Sequence, residues 1–231
     1  MSDVVAVLWS DEPRRKPGPR PRFTIDDVVG AAIAIADAEG LDAVTMQRVA
    51  DELGAAKMGV YRYVSAKEEL AALMLDRALG DPPSAGTGPW QSQLRAWALA
   101  MHERMSARPW TLELTVGRRT PGPRELAWFE YGLAALRGTP LDGPDRMDVL
   151  AVLANHVRGG VQQEAGATEP EQALLESFQQ VLAAHADRFP ETVAAFAAAQ
   201  ESGRQDNALR FGIERILEGV TEYVARAGRE A

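Results

Sequence analysis

Residues 53–70 read LGAAKMGVYRYVSAKEEL. Met58, Gly59, Tyr61, Arg62 and Tyr63 crowd into six positions, and Lys67 follows closely. These residue types supply cationic donors, phenol hydroxyls and a thioether. On a helix turning by about 100° per residue, Val60 and Val64 point one way, and Met58, Gly59 and Arg62 point the other. Tyr61 and Tyr63 sit on the flanks. A face of this composition suits the major groove of double-stranded DNA. A guanidinium there can donate two bonds to guanine O6 and N7, which discriminates by about 1–3 kcal/mol. Met58 can pack on a thymine methyl, and Gly59 allows the backbone close to base edges. The Tyr61 and Tyr63 hydroxyls reach toward phosphates, and Lys67 adds charge beside them. Gln47 can contact the backbone or a base edge. Lys57 suits either a phosphate contact or a solvated surface.

The elements around this cluster must hold it in place. Thr24-Ile-Asp-Asp27 is a capping-box-like start. Val29, Ala32, Ile33 and Ala36 follow at the spacing of one buried helix face. A helix over about 26–39 is expected, with Gly40 ending it. Thr45 caps a second helix of about 46–53, with Val49, Ala50 and Leu53 inward, and Gly54 breaks it. A third, short helix covers about 56–63. Ser65-Ala-Lys-Glu68 reads as a capping box that opens a fourth helix to about residue 79. Its start offers free N–H groups to a phosphate. The pair over 45–63 has helix-turn-helix proportions.

Residues 1–23 are expected to be an irregular basic arm. Pro13, Pro17, Pro19 and Pro21 bar a helix interior, and Arg14, Arg15, Lys16, Arg20 and Arg22 bring charge without an acid. Arg20 and Arg22 are the arm's candidates for touching DNA; a solvated tail is the other reading. The net charge of the 231-residue chain is −8, which argues against a protein that coats nucleic acid along its whole surface but not against a small basic face. The chain has no cysteine, hence no disulfide and no thiolate metal site. No apolar run approaches the roughly 20 residues a membrane span needs, and VVAVLW at 4–9 is too short for the apolar core of a signal peptide. A cytoplasmic protein is expected.

The run AAIAIADAEGLDAVTMQRVADELGAAKMGVYRYVSAKEELAALML resembles the DNA-binding domain of the TetR family of bacterial transcriptional regulators. The Gly-Leu step before a Thr cap, VADELG, and the Tyr-x-Tyr-Val-x-x-Lys-x-x-Leu ending occur in order. The resemblance implies an obligate homodimer whose third helix reads DNA and whose helical C-terminal body binds a small molecule. It implies DNA contacts at Met46, Gln47, Lys57, Met58, Gly59, Tyr61, Arg62, Tyr63 and Lys67. Family members often carry Ser or Thr where this chain has Ala56 and Gly59, so the operator sequence does not carry over.

Beyond the breaker cluster GDPPSAGTGP at 80–89 the pattern is helical throughout. The expected fold is all-α: an arm at 1–23, a three-helix helix-turn-helix domain at 24–79, and a helical ligand-binding and dimerisation domain at 80–231. The stretch DNALRFGIERILEGVTEYVAR resembles the last helix of the tetracycline-repressor subgroup, where it pairs with an earlier long helix, here about 143–164, in a four-helix bundle with the partner chain. Leu209, Ile213, Ile216, Leu217 and Val220 form one apolar stripe; Met147, Leu150, Ala154 and Val157 form another. These are the dimer candidates, although both stripes equally suit a core within one chain. Trp97, Met101, Met105, Trp110, Leu114, Trp128, Tyr131 and His156 are the candidates for lining an apolar ligand pocket, and an ordinary core is the competing reading. The magnesium–tetracycline chemistry of that subgroup needs a histidine at the end of the fourth helix. None stands there, so no metal and no cofactor are expected.

Rival functions fare worse. There is no HExxH, no glycine-rich phosphate loop and no GxSxG, so catalytic residues are not expected. A helical adaptor without DNA binding would show no salt-dependent DNA affinity. A repressor released by a small apolar ligand is the expected function, with an activator of the same family as the alternative.

Overall fold

A computed structural model describes residues 2–9, 23–84, 86–117, 119–166, 180–202 and 208–230. Among them every regular element is a helix or a short 3-10 turn. They fall into two compact units, Met1–Gly138 and Thr139–Ala231.

In the first unit, helix α1 spans Ser2–Leu8. This corrects the irregular arm expected over the whole of 1–23. Val7 and Leu8 are buried, and the Trp9 indole N–H donates to the Pro121 carbonyl at 3.3 Å. The apolar run at 4–9 is therefore a docking stretch, and α1 packs on α5 (Lys67–Leu79). Arg20 and Arg22 lie outside the described residues.

Helix α2 (Ile25–Glu39) begins at the Thr24 box. The Asp27 N–H donates to Thr24 Oγ1 at 3.2 Å, and Asp27 Oδ2 accepts the Thr24 N–H at 2.6 Å. Gly40 ends the helix with φ of +86°, where a side chain would be strained. A 3-10 turn (Leu41–Ala43) leads to Thr45, whose hydroxyl accepts the Arg48 N–H at 3.1 Å and caps α3 (Met46–Glu52). Helix α4 (Lys57–Val60) is a single turn. It is shorter than the 56–63 expected, because the next N–H groups bond as a turn, Tyr63 to the Val60 carbonyl at 2.9 Å. Val28, Val29, Ile35, Val49, Val60 and Val64 close the core with Leu70 and Met74 of α5.

The box at the start of α5 differs from the expected Ser65–Glu68 pair. Glu69 takes both the Ser65 N–H at 2.7 Å and the Ser65 hydroxyl at 2.6 Å. Glu69 is the buried glutamate of the two, and burial demands partners for its charge. The Ser65 N–H is thus not free for a phosphate.

Helices α6 (Trp90–Ser106), α7 (Thr111–Leu114) and α8 (Pro123–Ala135) complete this unit. The breaker cluster at 80–89 separates α5 from α6, yet α6 and α8 both pack on α5. Asp76, buried on α5, accepts the Arg124 N–H at 2.8 Å and the Glu125 N–H at 3.4 Å. It caps α8 from another helix, supplying the acceptor that the N-terminal N–H groups lack. Gly122 makes this approach possible, since a Cβ there would meet Asp76 Oδ1 at 2.1 Å.

The second unit is built on α9 (Gly143–Gly166) and α11 (Ala208–Glu230), which pack on each other; α10 spans Pro190–Ser202. Tyr223 donates to Asp145 at 3.0 Å, and His156 Nε2 lies 3.0 Å from the Leu209 carbonyl.

The Thr24 N–H and hydroxyl hold the Asp27 carboxyl below its ordinary pKa. Its folded pKa being depressed, it adds stability above the unfolded pKa, and that is lost as pH falls through the folded value. Asp27→Asn should flatten this acid limb of a denaturation-versus-pH series, while Thr45→Ala should cost about 1 kcal/mol at every pH.

Candidate nucleic-acid interface

Val60 and Val64 have no exposed surface, whereas Met58 is 72% exposed. The one-turn helix α4 therefore presents the face that the periodicity implies. Arg62 and Lys67 are exposed, and neither makes an ion pair with another described residue. Lys57 is exposed with its ammonium 6.0 Å from the Tyr61 ring centroid, and Tyr61 lies at the edge of the face. Gln47 is exposed on α3 and donates to Asp51 Oδ1 at 2.8 Å. Arg48, one position on, is committed elsewhere. Glu52 at 2.8 Å and Glu39 at 2.9 Å hold its guanidinium, and those bonds, Glu52's first, raise its pKa further.

Two expected contacts, Met46 and Tyr63, differ from their placement. Met46 is buried in the helix-turn-helix core, because the Thr45 cap starts α3 with that side chain turned inward. Its thioether is not offered to a base. Tyr63 is half-buried; its hydroxyl donates to the Phe23 carbonyl at 2.7 Å, and the two rings lie 4.9 Å apart. It fastens the chain entering α2 to the end of α4. A Cβ at Gly59 would meet the Phe23 ring at 3.6 Å, an ordinary contact, so this glycine sits against Phe23. Phe23 itself is missed by sequence reasoning. Its only signal is an aromatic directly before the Thr24 cap.

The pocket candidates separate. Trp97, Met105 and Trp128 are buried on α6 and α8, and Met101 and Tyr131 are half-buried on the same helices. The Trp97 indole donates to the Trp128 carbonyl and the Trp128 indole to the Gly80 carbonyl, both at 2.9 Å. Trp110 and Leu114 depart from the expectation. Trp110 belongs to the helix-turn-helix core, Leu114 packs against it, and the Trp110 indole donates to Asp37 at 2.7 Å. His156 also departs. It joins α9 to α11, and Gly212 leaves room for its ring.

The dimer candidates separate as well. Leu150, Val157, Ile213 and Leu217 are buried within one chain, so they offer a second copy no surface. These four positions face the contact between α9 and α11, as amphipathic helices that pack on each other require. Ala154, Leu209, Ile216 and Val220 are partly exposed, and Met147 is 57% exposed.

The family model for bacterial regulatory proteins of the tetR family matches residues 28–74, and the tetracyclin repressor-like C-terminal domain matches 82–224. The chain belongs to the TetR family. It is thus a DNA-binding transcriptional regulator of all-α fold. It is similar to the HTH-type transcriptional repressor DrrR1 of Streptomyces coeruleorubidus, 36% identical over 99% of this chain and 88% of that protein. Among solved structures, apo ActR from Streptomyces coelicolor is 26% identical, with a TM-score of 0.74 over 93% of this chain and all of that one. ActR in complex with actinorhodin is 25% identical, with a TM-score of 0.72 over 90% and 99%. Within this TetR-family chain the 28–74 match includes the exposed face of α4, Gln47 and Lys67. Among the described residues no helix is long and apolar enough to cross a membrane.

Tyr63→Phe should lower folding stability by about 1 kcal/mol, because the half-buried Phe23 carbonyl loses its donor. Chemical denaturation reads this without DNA. An unchanged stability with weakened DNA binding would instead assign the Tyr63 hydroxyl to phosphate.

Proposed function

We propose that this TetR-family chain is a homodimeric repressor that grips a (pseudo)palindromic operator through α4 and lets go when a small, largely apolar molecule binds. The supporting observation is the exposed Arg62 in the turn directly after α4, which makes no ion pair with another described residue; exposed Met58 lies on α4, and Val60 and Val64 are fully buried. Arg62 reads a guanine, and Met58 packs on a thymine methyl. Lys57, Lys67 and the Tyr61 hydroxyl contact phosphates, Gln47 a phosphate or base edge, and Arg20 and Arg22 the adjoining backbone. Phosphate contacts set register, and base contacts set sequence. Two copies place two such helices about one duplex turn apart, the spacing a palindrome offers.

Residues 24–79 carry the DNA function and 80–231 the ligand and self-association functions. For the ligand, half-buried Met101 and Tyr131 supply thioether and aromatic surface on α6 and α8, and buried Trp97, Met105 and Trp128 back them on the same helices. ActR's complex with actinorhodin supports a small-molecule ligand, and the name of DrrR1 as a repressor supports the direction of control. Actinorhodin is a direct probe. For self-association, Met147, Ala154, Leu209, Ile216 and Val220 keep surface that a second copy can cover. A ligand that empties the operator must favour the released state by several kcal/mol over the bound one.

The test is selection of bound DNA from a random pool, then gel-shift titration across salt. Arg62→Ala should weaken selected-operator binding by about 1–3 kcal/mol and leave non-specific binding nearly unchanged. Lys67→Ala should weaken both alike and reduce the salt slope by about one. An equal loss of both on Arg62→Ala removes base readout from that residue.

A further inference from the structure

The core of the helix-turn-helix is not finished by the helix-turn-helix. Trp110 sits in it, 7% exposed, some 30 residues beyond the end of α5. Its indole N–H donates to Asp37 Oδ1 at 2.7 Å, and Arg108 Nε reaches the same carboxylate at 3.2 and 3.3 Å. The Thr111 hydroxyl, buried, donates to the Arg108 carbonyl at 2.8 Å, and so does the Thr111 N–H at 2.9 Å. The 108–111 turn is thus a closed unit that holds both donors toward α2.

Asp37 lies in the last turn of α2, a turn with no basic residue of its own. Arg108 brings the positive charge that the carbonyl end of a helix favours. The other end of α2 is held by a different element. Arg77 of α5 donates to the Asp26 carbonyl at 2.8 Å and pairs with the Asp26 carboxylate. Helix α2, which packs on α3 as α3 in turn packs on α4, is therefore fastened at two points to two elements.

Asp26 and Asp37 are 11 residues apart, about 16 Å along a helix that rises 1.5 Å per residue. Sliding the 108–111 turn by about 2 Å against α5 would tilt α2 by roughly 7° over that span. Close-packed cores pass such a movement on and do not absorb it, so α3 and α4 follow.

We propose that Asp37 and Trp110 are positioning residues for DNA binding: they lock the C-terminal end of α2 to the turn after α6, and this lock sets the pose of α4. The role rests on the DNA-binding reading above, but the lock itself can be measured without DNA. The variants are Asp37→Ala, Asp37→Asn and Trp110→Phe in the full chain. Asparagine keeps an acceptor for the indole and gives up the charge facing Arg108. Phenylalanine keeps an aromatic ring in the core but gives up the N–H and part of the indole's volume.

Hydrogen–deuterium exchange is read by segment, and affinity is measured for the selected operator. Asp37→Ala and Trp110→Phe should speed exchange of the α2–α4 amides by about tenfold, the scale of one lost hydrogen bond, with α6, α8, α9 and α11 unchanged. Operator affinity should fall in parallel, and Asp37→Asn should recover part of both. Unchanged α2–α4 exchange in both Asp37→Ala and Trp110→Phe overturns the proposal. So does a uniform rise across all helices, which marks general destabilisation. Should local exchange respond while wild-type protein selects no DNA, the lock stands and the operator reading falls.

Discussion

The seating of Val60 and Val64 in the α2–α3–α5 core is the constraint from which the exposed face around α4 follows. Helix α4 has four residues, and a single turn has no stability of its own, because nucleation costs more than one hydrogen bond returns. Its existence and direction are set by what it buries. Each fully buried valine contributes about 1.5–2 kcal/mol. The exposed side chains opposite them, Met58 and Arg62, inherit their direction from the valines. Tyr63 adds a polar fix at the helix end by donating to the Phe23 carbonyl.

Helix α5 serves two neighbours at once. Leu70, Met74 and Ala78 complete the helix-turn-helix core, and Arg77 holds the start of α2. Its last turn is gripped from the other side: Asp76 caps α8, the Gly80 carbonyl accepts the Trp128 indole, and the Leu79 carbonyl accepts Arg104 at 3.2 Å. Gly80 is needed at this joint, with φ of +58° and a Cβ position that would collide with the Arg104 guanidinium. Polar groups this specific resist sliding, since each bond broken in a partly buried site leaves an unsatisfied partner. A movement of α8 is carried to α5 by fixed hydrogen bonds, whereas apolar packing alone would permit slip.

The helix-turn-helix is legible in the sequence because its signals are local. Thr24 with Asp27, Thr45, Gly40 and the valine spacing each act within a few residues, and each appears where the spacing puts it. What is not legible depends on contacts between distant residues. Glu68 and Glu69 are equally good capping partners on paper; burial selects Glu69. Met46 reads as exposed only by family pattern, and the cap geometry turns it inward. Trp110 looks like pocket lining among other aromatics, and its partner Asp37 lies 73 positions away. The stripes on α9 and α11 have the same composition whether they face a neighbouring helix or a second chain, so periodicity cannot divide them. A proline-rich segment such as 10–22 hides the fact that the apolar run before it can still dock as α1.

Charge placement bears on how such a regulator finds one site among many. A net charge of −8 repels the duplex from most of the surface, so phosphate attraction has to come from local groups of cations. Non-specific binding is almost wholly phosphate attraction and scales with the number of phosphates neutralised. A chain that commits Arg48 to Glu39 and Glu52, Arg77 to Asp26 and Arg108 to Asp37 keeps those guanidiniums out of that sum. Discrimination is a ratio of specific to non-specific affinity, and it can rise when the second falls. The acidic partners that hold the helix-turn-helix together therefore do a second job, spending on internal fastening the cations that would otherwise bind any DNA.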